Sequence, residues 1–266
     1  MPHPLGLITL LTDFGDRDSF VASMKGVILT INPQATIVDL SHHVPPHSIE
    51  EAAYLLKSCY RYFPEGTVHV AVVDPGVGSA RRPLIAKGAR YFFLAPDNGL
   101  LTPILAEESG MEVREIENLD FRLTSPGHTF DGRDLFAPAA AWLTTQQPFA
   151  SFGRLIDNCK TFTTSKPHWE ETVLVGEIVH VDRFGNLVSN LSPHHMKEIQ
   201  EVTKRPNALV RIAGHTIERL VGSYSEGHPL IPHALINSHG QIEIFLKEGN
   251  AACIMNVGRG QRVDLL

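Results

Sequence analysis

The sequence has few cysteines, no long run of basic residues and no long apolar segment. The three cysteines, Cys59, Cys159 and Cys253, are widely spaced and form no C-x-x-C motif, which argues against a disulfide framework or a thiolate zinc site and fits a reducing cytoplasm. The formal net charge of −6 argues against a nucleic-acid partner. No apolar stretch approaches the roughly 20 residues of a membrane span. We therefore expect a cytoplasmic protein with no membrane or nucleic-acid partner.

Residues 7–145 alternate between short apolar runs and helical patterns. The runs predicted as strands are 7–12, 35–40, 68–73 and 90–95. The segments predicted as helices are 19–29, 50–60, 100–107 and 134–143. Alternation of this kind predicts an α/β fold, with a mostly parallel sheet and flanking helices.

The second half of the chain has a different pattern, which follows a polar linker predicted at 158–171. Short β-prone runs separated by Gly, Pro and Asn occur at 173–181, 208–212, 233–236, 241–245 and 252–257, and one helix is predicted near 194–199. This pattern predicts a smaller C-terminal antiparallel β domain, a sandwich or a barrel. The predicted domains are 1–160, an N-terminal α/β domain, and 170–266, a C-terminal β domain.

Three aspartates, Asp13, Asp74 and Asp97, lie in turns at the carboxyl ends of predicted strands. Ligands of open α/β sheets bind beyond the carboxyl ends of the strands, and although Asp also begins turns and caps helices, three such residues favour a site. No P-loop or G-x-G-x-x-G motif is present, so a nucleoside-like ligand is preferred over a nucleoside triphosphate or a dinucleotide. Asp13 is the candidate acceptor for ribose hydroxyls.

The segment 72–82, VVDPGVGSARR, places Asp74 at the end of a buried strand and Arg81 seven residues later. Gly76 and Gly78 permit a tight turn, so Arg81 can fold back onto the carboxylate of Asp74. The alternative is an ordinary turn with a surface arginine. A carboxylate held in this way is a candidate base for the activation of water.

Three other features leave alternatives open. Asp131 precedes an Ala-rich helix, where it or Asp134 could be a simple N-cap. Tyr224 could stack on a base or belong to the core. The 14 histidines form no H-x-E or H-E-x-x-H motif, so we predict no metal, although the closely spaced Asp13, Asp16 and Asp18 keep a metal-dependent phosphoesterase as an alternative.

At these residues the sequence resembles the S-adenosyl-L-methionine hydroxide adenosyltransferases, the family related to fluorinase and chlorinase. The resemblance covers nearly the whole chain. It rests on ordered motifs, namely LTDFG at 11–15, VVDPGVGS with Arg81, APDNGLLT at 95–102, TFDGRDLFAP at 129–138, VDRFGNLVSN at 181–190, INSHG at 236–240 and GNAA at 249–252. Several ordered motifs in two predicted domains make this a specific signal.

The resemblance implies a fluorinase-like fold, with an N-terminal α/β domain and a C-terminal β domain, and a homotrimer whose active sites lie between the N-domain of one subunit and the C-domain of its neighbour. It implies hydrolysis of S-adenosyl-L-methionine to adenosine and L-methionine without a cofactor. The family's catalytic Asp and Arg fall on Asp74 and Arg81. The family's third group is a His in the motif T-F-H-G-R-D, and this chain has Asp131 in its place.

The same resemblance assigns the substrate-binding residues. Asp13 would hold the ribose hydroxyls, and Tyr224 and Phe184 would flank the adenine. The edge of the adenine would meet Asn186 and the Asn250-Ala251 turn, while the amino acid part would meet Asp182 and Ser238. The matched motifs also supply Asn98, Phe130 and Gly132 as candidate binding residues.

Two further functions remain as alternatives to hydrolysis. In the halogenating relatives an aromatic residue replaces Asp74 and Arg81 is missing, and fluorinase has Ser where this chain has Gly132. The presence of Asp74, Arg81 and Gly132 therefore favours water over halide as the nucleophile. Because Asp131 replaces the family's His, a non-catalytic binder of adenosine or S-adenosylmethionine is the other alternative.

Overall fold

In the computed structural model, which describes residues 2–205 and 207–266, the chain divides into two compact units, Met1–Phe162 and Thr163–Leu266. The first unit contains the strands β1 (Leu7–Thr12), β2 (Thr36–Ser41), β3 (Val68–Val72), β4 (Pro83–Lys87), β5 (Phe92–Pro96) and β6 (Glu112–Glu115). The sheet order is β2-β1-β3-β5-β4-β6. The first four strands in this order are parallel, and β4 pairs antiparallel with both β5 and β6. The predicted mostly parallel sheet is confirmed, whereas β4 and β6 were not predicted.

The helices of the first unit are α1 (Phe20–Ile31), α2 (Ile49–Cys59), α3 (Thr102–Glu107) and α4 (Ala137–Thr144), with a π-helical turn at Gly132–Phe136. Short 3₁₀ turns occupy Tyr60–Tyr62, Leu119–Phe121 and Phe149–Phe152. Successive residues of a strand point to opposite faces of the sheet. On β1, Leu10 packs in one core with Met24 of α1, and Leu11 packs in the other with Leu56 of α2. Full burial of each such side chain contributes about 1.5–3 kcal/mol.

The second unit is built on the strands β7 (His168–Glu170), β8 (Val173–Val181), β9 (Leu187–Ser189), β10 (Val210–Ile212), β11 (His215–Ile217), β12 (His233–Ile236), β13 (Ile242–Phe245) and β14 (Arg262–Leu265). Their order is β11-β10-β14-β8-β9-β13-β12, with β7 paired to β8, and the strand pairs are antiparallel. The antiparallel β unit predicted for this half is confirmed. No helix in the described part of the chain is both long enough and apolar enough to cross a membrane.

Two helices complete the second unit, α5 (Pro193–Thr203) and α6 (Ala251–Met255), and a 3₁₀ turn covers Tyr224–Glu226. The prediction of a β-prone run at 252–257 is wrong, because α6 occupies most of it. Asn250 caps this helix, since its Oδ1 accepts a hydrogen bond of 2.7 Å from the backbone N–H of Cys253. This cap, together with the helix-forming residues Ala251, Ala252 and Met255, explains why the segment is helical.

Candidate active site

Asp74 and Arg81 meet at the carboxyl end of β3. Arg81 donates from Nε, at 2.7 Å, and from Nη2, at 2.5 Å, and both bonds end on the same oxygen, Oδ2, of Asp74. The turn between them is tight: the backbone N–H of Ser79 bonds the carbonyl of Gly76, and Gly78 has φ +78°. A positive φ of this kind is open to glycine at little cost. The sequence therefore folds Arg81 back onto the carboxylate, as its spacing predicted.

Asp131 is the third member of this cluster. Nη2 of Arg81 also donates to Oδ2 of Asp131, and the guanidinium lies 5.7 Å from the ring centre of Phe136. The side chains of Asp74, Arg81 and Asp131 are 5%, 7% and 15% exposed, so the cluster is largely shielded from water. Burial, the largest influence, lowers the pKa of Arg81, but its hydrogen bonds to the two carboxylates and their charges outweigh burial and raise that pKa. Arg81 is therefore a permanent cation between two carboxylates.

One oxygen of Asp74 is left available. Oδ1 of Asp74 is buried and has no hydrogen-bond partner, and among the described residues the other buried side-chain atoms of this kind are two histidine nitrogens. An unsatisfied buried acceptor costs about 1–3 kcal/mol, so such groups call for an explanation. Asp74 is thus fixed on one side by Arg81 and able to accept a proton or a hydrogen bond on the other.

Asp131 does not cap the helix that follows it. Its side chain makes no capping hydrogen bond, because its carboxylate is turned to Arg81. The neighbouring Asp134 is engaged by Arg133, with distances of 2.6 Å from Nε and 2.9 Å from Nη2. The backbone after Asp131 is π-helical, a local feature that often occurs at functional sites.

Gly132 and Phe130 form the packing next to Asp131. A Cβ on Gly132 would lie 3.1 Å from ring carbons of both Phe14 and Phe130 and 3.3 Å from the sulfur of Met24. The ring of Phe130 lies edge-on to the rings of Phe14 and Phe20, at 5.8 and 5.1 Å. Because Gly132 has no side chain, the rings of Phe14 and Phe130 can pack against its backbone, next to Asp131.

The other strand-end residues of this unit have different environments. Asp13 is half-buried, and its Oδ2 accepts a hydrogen bond of 2.9 Å from the backbone of His47. Asn98 is used by the fold, since its Nδ2 donates to the carbonyl of Val73 at 2.8 Å and its Oδ1 accepts from the backbone of Leu100. Asn98 thus fixes the segment that leads into Asp74.

Asp97, the third aspartate at a strand end, is held by hydrogen bonds of the fold. One of its oxygens is bound by two nitrogens of Arg82, and the other accepts from the backbone N–H of Lys160 at 2.7 Å. Its side chain is almost fully buried. Asp97 therefore ties the segment after β5 to the end of the unit.

The histidines are placed in structural or exposed positions. His69 is fully buried, bonded to Thr9 at 2.8 Å, and burial lowers its pKa from 6.5 to about 3. His195 accepts a hydrogen bond from the backbone of Ser192 at the start of α5. His128 is exposed, and its backbone lies against Gly78. Within residues 2–205 and 207–266, no group of three or more His, Cys, Asp or Glu side chains is arranged to hold a metal ion.

The second unit contains a cleft of about 730 Å³. Five residues predicted to bind substrate line it together with residues of the neighbouring loops; the five are Asp182, Phe184, Asn186, Tyr224 and Asn250. The ring of Phe184 is 73% exposed although it belongs to the cleft. Exposed aromatic rings in a concave surface are suited to stacking on a planar ligand. Ser238 lies outside the lining in an exposed turn, and Ala251 is buried beside Asn250.

Asp182 shapes the turn that presents Phe184. Its Oδ1 accepts from the backbone N–H groups of Phe184 and Asn186, at 2.9 and 2.8 Å, and its Oδ2 accepts from Nδ2 of Asn186 at 2.9 Å. Gly185 has φ +84°, and a Cβ there would lie 2.2 Å from the side chain of Asn250. The turn and the cap of α6 therefore fit together only with glycine at this position.

Two residues near the cleft were not predicted from the sequence. Phe245 lines it, and the ring of Tyr224 lies edge-on at 4.9 Å. Glu243 is 4% exposed and accepts a hydrogen bond of 2.5 Å from the hydroxyl of Tyr224. The one available signal was a Glu inside the apolar strand IEIF, a position where a buried charge needs a partner.

Comparison with known proteins identifies similar chains. Residues 8–153 match the family model "SAM hydroxide adenosyltransferase N-terminal domain", and residues 176–264 match the corresponding C-terminal domain. A protein of Methanocaldococcus jannaschii named (R)-S-adenosyl-L-methionine hydrolase is 33% identical over 98% of this chain and 96% of its own length. A fluorinase of an Actinoplanes species is 32% identical, over 70% of this chain and 71% of its own length. The solved structure of an uncharacterised conserved protein from Thermotoga maritima superposes with a TM-score of 0.87 at 31% identity, covering 97% of this chain and 99% of that one.

Proposed function

The chain belongs to the SAM hydroxide adenosyltransferase family, and we propose that it hydrolyses S-adenosyl-L-methionine to adenosine and L-methionine. The hydrolase relative is similar over nearly its whole length, whereas the match to the fluorinase covers 70% of this chain and 71% of the fluorinase. The geometry of Asp74 is the observation that carries the proposal, because one buried oxygen is free while the other is fixed by Arg81.

The reaction is an in-line displacement at C5′ of the substrate. The water oxygen forms a bond to C5′ as the C5′–sulfur bond breaks, and the bonding electrons pass to sulfur, which leaves as the neutral thioether of methionine. The sulfonium is an activated leaving group, so no general acid is needed. The attacking water loses a proton, which Oδ1 of Asp74 accepts. A site shielded from solvent holds water and substrate in the required line.

Arg81 and Asp131 act on Asp74. Arg81 keeps the carboxylate in one orientation through two hydrogen bonds to Oδ2. Asp131 binds the same guanidinium nitrogen and so fixes the plane of Arg81. The cluster has two carboxylates and one guanidinium, a formal charge of −1, which attracts the cationic sulfonium substrate and favours neutral water over a halide anion as the nucleophile. Asp131 thereby supports hydrolysis in place of the histidine found in other members of the family.

The remaining residues bind the substrate. We assign the ribose hydroxyls to Asp13 and the two faces of the adenine to Phe184 and Tyr224. Asn186 and the Asn250-Ala251 turn bind the edge of the adenine. Asp182 takes the ammonium group and Ser238 the carboxylate of the methionine part. Asn98, Phe130 and Gly132 shape the site around Asp74 and Asp131 through the contacts described above.

The relatives named as hydrolases carry the label (R), which denotes one configuration at the sulfonium. We assign the same epimer to this chain as its substrate. An equilibrated mixture of the two sulfonium epimers, analysed by chromatography after incubation, should lose the (R) form first. Equal loss of both epimers would contradict this assignment while leaving the hydrolase function intact.

We also propose a cytoplasmic homotrimer that needs no metal or cofactor. The three cysteines are free, as expected of a protein in a reducing compartment. Light scattering after gel filtration should give about three times the 29.3 kDa of the chain. A monomer or dimer mass would exclude the trimer.

The proposed function is tested by incubating EDTA-treated protein with S-adenosyl-L-methionine, with and without chloride or fluoride. Adenosine and methionine should form in equal amounts at a rate independent of halide and chelator. A 5′-halogenated nucleoside would indicate a halogenase, and loss of activity in EDTA would indicate a metal-dependent enzyme. Tight binding without any product would identify a non-catalytic binder.

A further inference from the structure

Glu243 is a buried acid on the side of β13 that faces the cleft. Its neighbours Ile242 and Ile244 point into the core of the second unit. Because side chains alternate along a strand, Glu243 and Phe245 point the other way, and Phe245 lines the cleft. Glu243 is 4% exposed, so its carboxylate must be held by hydrogen bonds.

Both carboxylate oxygens of Glu243 have a partner, and the partners belong to two different loops. Oε1 accepts from the hydroxyl of Tyr224 at 2.5 Å, and Oε2 accepts from Nδ2 of Asn237 at 3.2 Å. Burial, together with the hydrogen bond to Glu243 and its charge, raises the pKa of Tyr224. The phenol therefore keeps its proton and donates a hydrogen bond to the carboxylate.

The Tyr224 loop is held on β13 by several contacts around this bond. The ring of Tyr224 lies edge-on to Phe245, and the Lys247 ammonium donates to the carbonyl of Ser225 at 2.9 Å. A Cβ on Gly227 would come within 2.9 Å of the ring of Phe245. These contacts set the position of the loop, and the bond to Glu243 sets the direction in which the Tyr224 ring points.

The Asn237 side of the connection is equally defined. Oδ1 of Asn237 accepts from the backbone N–H groups of His239 and Gln241, both at 3.0 Å. Asn237 cannot turn its amide over without losing these two bonds, so its Nδ2 must face Glu243. Ser238 lies inside the turn that Asn237 closes with Gly240.

We propose that Glu243 is a positioning residue that couples the ring of Tyr224 to the turn carrying Ser238. The inference rests on the proposed function, which assigns Tyr224 to the adenine and Ser238 to the methionine carboxylate. Through Glu243, the residues that bind the two ends of the substrate belong to one hydrogen-bond network.

The variants Glu243→Leu, Glu243→Gln and Tyr224→Phe separate this role from a merely structural one. Leu removes both hydrogen bonds. Gln keeps both, because its amide oxygen can accept from Asn237 and its NH₂ can donate to the oxygen of Tyr224. Tyr224→Phe keeps the aromatic ring and removes only its hydrogen bond to Glu243. Glu201→Leu on α5 and Tyr62→Phe, both at exposed positions, are the matched controls.

Adenosine binding is measured by calorimetry on the full chain, which needs no turnover. Glu243→Leu and Tyr224→Phe should each raise the Kd for adenosine by about two- to tenfold, the range of one lost hydrogen bond. Glu243→Gln should restore nearly normal affinity. The double variant Tyr224→Phe/Glu243→Leu should bind adenosine no more weakly than the single variant with the lower affinity, because both substitutions break the same hydrogen-bond network. In the hydrolysis assay the same variants should raise KM and leave kcat nearly unchanged.

Normal adenosine affinity in a folded Glu243→Leu protein would overturn the inference. If that variant fails to fold, normal affinity in Tyr224→Phe overturns it equally. Additive effects in the double variant would also contradict the coupling, as would a wild-type protein that does not bind adenosine. If adenosine binds with the expected variant effects but no turnover occurs, the role of Glu243 is supported. Only the hydrolase function is then contradicted.

Discussion

Arg81 binds a single oxygen of Asp74 through two nitrogens and leaves the other oxygen of that buried carboxylate without a partner. The arginine thus orients the carboxylate without occupying the lone pairs of Oδ1. A carboxylate that served only as an ion-pair partner would not need one side kept free.

Asp74→Asn should remove the base and preserve the shape of the site. We expect kcat to fall by about 100-fold or more, since general bases contribute at least this much, while the Kd for adenosine stays within about twofold. Single-turnover kinetics and calorimetry measure the two quantities. Asp16→Asn is the control, because Asp16 is exposed and lies beyond the carboxyl end of β1 in the same sheet. Unchanged turnover in Asp74→Asn would exclude this residue as the base.

Asp131→Ala and Asp131→Asn test the second carboxylate bound to Arg81. Ala leaves Arg81 held by Asp74 alone, so we expect kcat to fall by about tenfold or more with KM nearly unchanged. Asn can still accept from Arg81 and should retain more activity than Ala. Steady-state kinetics provide the comparison, with the exposed Asp120→Ala as the control. Equal activity of Asp131→Ala and wild type would remove Asp131 from the catalytic cluster.

Gly132→Ser should destabilise the first unit, because its Cβ would come within 3.1 Å of two phenylalanine rings. Overpacking of this kind costs about 1–3 kcal/mol in the free energy of unfolding. Urea denaturation measures the change. Gly127→Ser lies in the same segment with no atom within 4 Å of its Cβ, and is the matched control. If both variants lose an equal and small amount of unfolding free energy, the aromatic rings rearrange to accommodate the new side chain and the prediction is wrong.

His69 should make stability depend on pH in mildly acid solution. Its pKa is lowered from 6.5 to about 3 in the folded chain, so below pH 6.5 the unfolded chain binds a proton that the folded chain does not. Stability is therefore retained above pH 6.5 and falls as the pH drops from 6.5 towards 3, by at most about 1.4 kcal/mol per pH unit from this group.

The double variant Thr9→Val/His69→Phe removes the titrating ring and its hydrogen-bond partner together. The slope of the unfolding free energy against pH, between pH 6.5 and 4.5, should become shallower by up to about 1.4 kcal/mol per pH unit, the equivalent of one proton. Urea denaturation at several pH values gives this slope, and His43→Phe, which replaces an exposed histidine, is the control. An identical slope in wild type and double variant would show that the pKa of His69 is the same in the folded and the unfolded chain.

The parallel part of the fold could be predicted because each of its strands is an apolar run bounded by a turn. β4 escaped prediction because it starts at Pro83, directly after the turn motif, and β6 because its pattern EVRE is mostly charged. The helix α6 was mistaken for a strand because it is short and follows several β-prone runs, and only the three-dimensional position of Gly185 reveals the bond from Ala252 that supports the helix.

The Asp74–Arg81 pair could be predicted because its partners are seven residues apart and joined by glycines. The hydrogen bonds of Asp97 could not be predicted, because one of its partners, the backbone of Lys160, is distant in the sequence. The Tyr224–Glu243–Asn237 connection was not predicted for the same reason: two loops and a strand meet there, and no local pattern shows which of many polar residues become partners.

The fate of the water oxygen tests the central claim most directly. The protein is incubated with S-adenosyl-L-methionine in H₂¹⁸O, and the products are analysed by mass spectrometry. Attack of water at C5′ predicts adenosine with one ¹⁸O in its 5′-hydroxyl group and unlabelled methionine. Unlabelled adenosine, label in methionine, or a nucleoside product other than adenosine would contradict the account.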